Sequence, residues 1–353
     1  MNNRTIQIHG HAAFVHHFGR KAIFRPKNKE LLFDTSEVSG KDNEGKEYTF
    51  AEEYEWLGFT ARDLIFEIAN EVLKNKKLRL DVFAYDLNEP DLLNIFLKLA
   101  KQGRMRMILD NAPLHHDAED PKPEDKFQKL FEKAAKGKAE IKRGKFGRFA
   151  HDKIFIVSNS KGAQKVLTGS TNFSVTGLYV NSNHVIVCNN AEVADRYAKI
   201  FEFVWDTDVN KSKFAKSDDA KQTFSFSGDG VPETEITFSP HPEAEAQKNL
   251  DGIVTRMKQE KKTKNGSILF AVMGLDKGTG PVLPALKELH KDDKIFTYGI
   301  SDTPGGIFVY TAKENGRACV GQTDSDETTA TIRSSTGRGS RTSGASQVHR
   351  MRV

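Results

Sequence analysis

The chain has only two cysteines, Cys188 and Cys319, too few for a disulfide framework. A reducing cytoplasm is therefore the expected compartment. No apolar run approaches the roughly 20 residues that a helical span requires, so no membrane span is expected. The opening residues, MNNRTIQIHGH, hold no apolar core, which argues against a cleaved secretion signal. A metal-binding pattern is also missing. His9, His11, His16 and His17 cluster near the start, but no cysteine or carboxylate stands at a matching spacing. They read as an exposed hairpin, and no metal ligand is assigned. Nor is there a large excess of one charge. A net +5 is compatible with anionic partners and diagnostic of none. What is present is a chain of 353 residues, 37% hydrophobic and 29% charged, enough for one large or two ordinary domains.

Residues 1–59 read as a strand-rich segment (TIQIHGHAAFVHHF, KAIFRP, ELLFDT). An α/β pattern starts at Thr60, which with Asp63 can cap a helix through ARDLIFEIANEVLKN. There Ile65, Ile68, Val72 and Leu73 fall near helical spacing. LRLDVFAY (78–85) reads as a strand. Asn88 can cap a second helix with Pro90 in its first turn, ending at Gly103, and RMRMILD (104–110) reads as the next strand. Strand, helix and strand at this spacing imply a parallel pair joined by a right-handed crossover. Ligands collect at the carboxyl ends of such strands, near Asp86 and Asp110, although both also read as ordinary strand-end residues. His115 and His116 lie in a polar loop; one of them could touch substrate if the loop folds over the site, but both read as solvated. Glu124–Ala135 reads as a helix. Lys136–Arg148 then carries six basic residues and one acid. Lys142, Arg143, Lys145 and Arg148 are its candidates for steering and holding phosphate.

This basic stretch leads into FAHDKIFIVSNSKGAQKVLTGSTNFSVT, residues 149–176. Two strands separated by a polar hairpin would deliver His151, Lys153, Ser170 and Asn172 to one place. Strand alternation puts His151 and Lys153 on one face and Asp152 on the other. A nucleophile beside a cation and amide or hydroxyl donors suits attack on a phosphate ester. His151-x-Lys153 followed by Gly169-Ser170-x-Asn172 resembles the HxK(x)4D…GSxN signature of the phospholipase D superfamily. Ser158 stands where that family has aspartate, and the hairpin is longer than usual. The resemblance implies that His151 is a nucleophile forming a phosphohistidine, that Lys153 and Asn172 bind the phosphate, and that Ser170 supports the site. It implies no cofactor and no metal. The implied substrate is a phosphodiester, in a phospholipid headgroup or a nucleic acid.

The second half repeats the unit. SILFAVM matches LRLDVFAY, VLPALKELH matches LLNIFLKLA, and KIFTYGISD matches RMRMILD, at one offset that carries Asp110 onto Asp302. Two copies imply two similar lobes. The expected fold is α/β: two phospholipase D-like lobes with mixed or parallel sheets flanked by helices, the second incomplete. The expected order is an N-terminal segment to 59, lobe 1 over 60–208, a linker over 209–230, a partial lobe 2 over 231–322 and a tail over 323–353. In the family each lobe supplies one H-x-K. The offset places the second near Ser343, where none exists. The tail instead carries Ser, Thr, Gly and five arginines from Arg333 onward, a composition expected to be disordered. It reads as a frame-shifted end; a single-motif protein borrowing a histidine from a second subunit, or a basic tail for nucleic acid, are the other readings. The activity expected is phosphodiester hydrolysis or transfer by a monomer. A weak or inactive phosphate- or nucleic-acid-binding protein is the alternative, and a dimer is the alternative assembly.

Overall fold

A computed structural model describes residues 11–28, 30–228, 230–263, 265–272, 280–290, 292, 295–301, 309–312 and 318–321. His9, the tail and the position expected for a second H-x-K lie outside them. The chain divides into two compact units, Met1–Pro240 and His241–Val353. Among the described residues, no helix is long and apolar enough to cross a membrane.

The start of the chain differs from the strand-rich expectation. Its first element is a helix, α1 (His11–Phe18). Helical spacing stacks Phe14 on Phe18 at 4.4 Å and brings both rings against Tyr48, a pairing that strand alternation would not give. His16 and His17 are exposed on this helix. A short antiparallel hairpin follows, β1 (Val38–Lys41) and β2 (Glu47–Thr49). Helix α2 (Phe50–Lys74) begins earlier than expected because Thr49 and Glu52 form a capping box. It breaks at Phe59 (φ 46°), directly before Thr60, where the sequence placed the start.

The centre of the first unit is a six-stranded sheet. Its strands are β3 (Arg79–Ala84), β4 (Met105–Asp110), β5 (Glu140–Gly144), β6 (Ile154–Asn159), β7 (Gly162–Gly169) and β8 (Val185–Cys188), in the spatial order β5-β4-β3-β6-β7-β8. β3, β4 and β5 are parallel, while β6, β7 and β8 alternate antiparallel beside β3. The sheet is mixed, as expected. The crossovers are α3 (Pro90–Lys101) between β3 and β4, and α4 (Pro123–Ala135) between β4 and β5. Glu89, not Asn88, caps α3, accepting from the Leu92 amide at 2.6 Å.

Side-chain alternation sorts the core into two faces. Val82, Ala84, Met107, Leu109, Phe155 and Val157 pack with α2, α3 and α4. Phe83, Ile108, Ile154 and Ile156 pack on the other with α6 (Ala191–Asp206), which follows the short α5 (Val175–Tyr179). On that second face the Arg106 guanidinium donates to both carboxylate oxygens of buried Asp81 at 2.8 Å and reaches Glu202. Arg104 closes the end of α2 by donating to the Val72 and Leu73 carbonyls, which have no partner inside the helix.

The segment 209–230, expected to be a linker, is instead structured within the first unit. It holds α7 (Lys211–Lys216), and β9 (Phe224–Gly228) pairs antiparallel with β10 (Val231–Ile236). Phe214, Ala220, Phe226, Val231 and Phe238 are buried in the same cluster as Phe201 and Trp205. The polar composition hid these spaced aromatic anchors.

In the second unit, α8 (Glu243–Glu260) precedes β11 (Ser267–Val272), α9 (Val282–His290) and β12 (Phe296–Ser301). β11 and β12 are parallel, with Ser267 opposite Phe296. Met257, Ala285, Leu286, Leu289 and Ile295 form its core. A hairpin of β13 (Val309–Ala312) and β14 (Ala318–Gly321) follows.

Candidate active site

The chain topology brings the chemistry-bearing residues to one edge of the sheet. β3 and β4 end there, β6 begins there and β7 ends there. His151, Asp152 and Lys153 lie immediately before β6 rather than within it. The Tyr85 ring, just past β3, is their common support. His151 packs edge-on against it at 4.3 Å, and the Lys153 ammonium lies 4.7 Å from its centre. Lys153 is 4% exposed and donates from Nζ to the His151 carbonyl at 2.7 Å. His151 is exposed, and its ring also lies 6.1 Å from that of Phe149.

Electrostatics at this edge separate the two residues. Partial burial, then the Lys153 ammonium, push His151 down to about 4, so its imidazole is neutral at neutral pH. Burial pushes Lys153 down to about 8, against the pull of Asp152, Asp86 and Asp110, and it stays largely charged at pH 7. Asp152 turns the other way, into a cavity of about 220 Å³ lined by Phe83, Phe146, Tyr197 and Phe238, and burial pushes its carboxyl up to about 6.

The Gly169–Asn172 turn reaches the same edge because β7 pairs with β6, Phe155 opposite Leu167. Beyond Asn172 the turn is tied to the end of β3. Leu87 bridges Phe173, Asn88 and Glu89 donate to the Phe173 carbonyl, and Ser174 donates to Asp86 at 2.7 Å. Asn172 is half-buried, and its Oδ1 is buried with no hydrogen-bond partner. Ser170 is engaged elsewhere: its hydroxyl donates to Asn183 Oδ1 at 3.0 Å and lies 3.1 Å from His184 Nδ1. Gly169 has φ +146°, and a Cβ there would lie 2.2 Å from the His184 carbonyl oxygen. Gly169→Ala should therefore cost about 1–3 kcal/mol in urea unfolding, along with the geometry of the turn. An unchanged midpoint would show that the turn has room.

The four basic candidates divide into two kinds. Lys142 donates to the Trp205 carbonyl and to Asp208, at 2.7 and 2.9 Å. Arg143 is spent on Asp125, Gln128 and the Asp110 and His115 carbonyls, fastening β5 to the loop after β4. Neither is free to hold a ligand without breaking these bonds. Lys145 and Arg148 are exposed, with Arg148 lying over Phe149, whose ring packs on Tyr85.

Of a second cluster only Asp86 and Asp110 were legible in the sequence, as strand-end residues at the ligand edge. His115, expected to be solvated, is 6% exposed and packs edge-on against Tyr85 at 4.2 Å. Its Nδ1 meets Asp110 Oδ2 at 2.8 Å. Burial opposes the Asp110 charge, but His115 and the Ala150 and Ala112 amides hold its carboxyl below the usual range. Burial likewise opposes a charge on His115, yet the bond to Asp110 and the nearby Glu124 raise it above the ordinary histidine value. Glu124, in the first turn of α4, is 1% exposed, and burial pushes it up to about 7. The signals were only a loop histidine five residues beyond a strand-end aspartate and an acid in a helix's first turn. The turn acid reads as routine helix-dipole chemistry.

Residues 70–205, which hold this edge, match the family model described as "Cardiolipin synthase, PLD-like domain". Over these residues the chain is similar to the phospholipase D superfamily. Curated proteins named phospholipase D are similar to it over part of its length. That of Rickettsia bellii (strain RML369-C) is 33% identical over 98 residues, 28% of this chain and 42% of the relative. That of Rickettsia conorii (strain ATCC VR-613 / Malish 7) is 27% identical over 131 residues, 37% of this chain and 58% of the relative. The chain thus spans about half the length of these relatives. Among solved structures it is similar to the phospholipase D family member Nuc from Salmonella typhimurium. The identity is 19% and the TM-score 0.33, over 41% of this chain and 87% of that one.

Proposed function

We propose that this phospholipase D-like chain hydrolyses or transfers a phosphodiester through a phosphohistidine at His151. The observation that carries the reading is the His151 imidazole packed on Tyr85 beside the buried Lys153 ammonium, at the edge where the Gly169–Asn172 turn arrives. A ring nitrogen of His151 attacks phosphorus. The N–P bond forms, the P–O bond to the leaving alcohol breaks, and that alcohol takes up a proton. Water or an acceptor alcohol then attacks phosphorus, loses its proton and releases the imidazole. Lys153 and the Asn172 amide hold the non-bridging oxygens as charge develops. Ser170 acts by positioning the turn. Lys145 and Arg148, exposed beside Phe149, draw the anion in, whether it belongs to a phospholipid headgroup or a nucleic acid. The parallel β11–α9–β12 unit supports reading the second unit as a partial second lobe.

The pH dependence of kcat/KM for a generic aryl phosphodiester should be a bell. His151 acts unprotonated, so activity rises as pH climbs through about 4. Lys153 acts as a cation, so activity falls as pH climbs through about 8. An acid limb at the ordinary histidine value of about 6.5 would contradict this role for His151. One observation favours a second reading, binding with little turnover: the sequence has a single H-x-K. Without a general acid, about 10²–10⁴-fold of rate is lost. Salt-dependent binding of phosphodiester with no turnover at any pH would support that reading. Mass in solution then tests whether the chain is the expected monomer or a dimer pairing two His151 residues.

A further inference from the structure

We propose that Asp86, His115 and Glu124 form a binding site for one divalent transition-metal ion of the zinc class. Each offers one ligand atom, and the three atoms lie within 4.8 Å of one another. A tetrahedral ion with bonds of about 2.0–2.1 Å would draw them inward by a small movement of side chains. The decisive observation is Glu124. Its Oε1 accepts from the Leu87 amide at 2.8 Å, whereas its Oε2 is buried without any hydrogen-bond partner. A buried carboxylate oxygen left without a partner is costly, and a cation in the cluster would satisfy it.

The surroundings of the cluster are those of a prepared site. His115 commits Nδ1 to Asp110, which leaves Nε2 to bind, and a carboxylate behind a histidine is how such ligands are oriented. Asp110 is itself held by the Ala112 and Ala150 amides. Asp86 is held by the Ser174 hydroxyl and by Asn88 Nδ2. One imidazole and two carboxylates suit zinc-class ions better than magnesium or calcium, which favour oxygen alone. Three protein ligands leave a fourth position open, the arrangement of reactive rather than purely structural zinc sites. The three residues come from the end of β3, the loop after β4 and the start of α4, so no sequence spacing announces them.

The test is metal binding by the full chain, read without activity and therefore independent of the phosphodiesterase reading. Purified protein is stripped with chelator and titrated with Zn²⁺, and Co²⁺ is used for its visible absorption bands. The expected result is one ion per chain, a raised melting temperature and tetrahedral Co²⁺ bands. Asp110→Asn, which removes the charge orienting His115 and one of the two oxygens that accept from the Ala112 and Ala150 amides, should weaken Zn²⁺ binding by about 10–100-fold. Glu124→Gln should weaken it further while keeping an acceptor for the Leu87 amide. Absence of binding in the parent overturns the site. So does binding unchanged in Asp110→Asn and Glu124→Gln, which would move the ion elsewhere, for instance to the α1 histidines. If Glu124→Gln fails to fold, the Co²⁺ spectrum of the parent against Asp110→Asn decides.

Discussion

His151→Ala should lower turnover of an aryl phosphodiester by about 10⁴-fold or more, the scale seen when a covalent nucleophile is removed. The loss should not come from unfolding. His151 is exposed and its ring meets only those of Tyr85, edge-on, and Phe149 among the aromatic contacts of the described residues, so truncation should shift stability by no more than about 0.5–1 kcal/mol. Lys153 bonds the His151 main-chain carbonyl, which the substitution keeps. The pairing of a near-unchanged melting temperature with abolished turnover separates a chemical role from a structural one. Residual activity within tenfold of the parent would place the nucleophile elsewhere.

Phe155→Ala should destabilise the first unit by about 3–5 kcal/mol, the usual range for truncating a buried phenylalanine. Phe155 is fully buried, meets Phe96 edge-on at 5.7 Å and stacks on Phe173 at 4.4 Å. These contacts join β6, α3 and the turn that follows Asn172. The resulting cavity would therefore loosen the Asn172 turn as well as the core. Urea unfolding gives the stability loss, and phosphodiester turnover at a temperature where the variant stays folded gives the second effect. A loss below about 1 kcal/mol would mean that the surrounding helices close over the gap.

Much of the sheet was legible because its strands and crossovers obey simple rules. The apolar runs at β3, β4, β6 and β7 are strand-length, and the Pro90 start and Gly103 end of the intervening helix carry standard signals. The parallel β3–β4 pair and the return through β6 and β7 followed from connection length alone. Two regions were misread for local reasons. Residues 11–18 alternate poorly, and only the Phe14–Phe18 spacing reveals a helix. The 209–230 segment is polar on average, while single aromatics such as Phe214 and Phe226 bury it.

The site was legible only where its residues are close in sequence. His151 and Lys153 announce themselves by spacing, and Gly169 to Asn172 by a turn after a strand. Tyr85, Asp110, His115 and Glu124 meet only when three connections converge on one sheet edge. Charge also misled. Of four basic candidates, Lys142 and Arg143 are consumed by carbonyls and carboxylates of the fold. Basic composition cannot distinguish a guanidinium that builds a loop from one that waits for a phosphate.

The most direct test is to quench the protein during turnover of a phosphodiester and map any covalent adduct by mass spectrometry. The predicted result is a phosphoryl or phosphodiester group on His151, labile to acid and absent from His151→Ala. Turnover with no adduct on His151, or with one on another residue, would contradict the phosphohistidine mechanism.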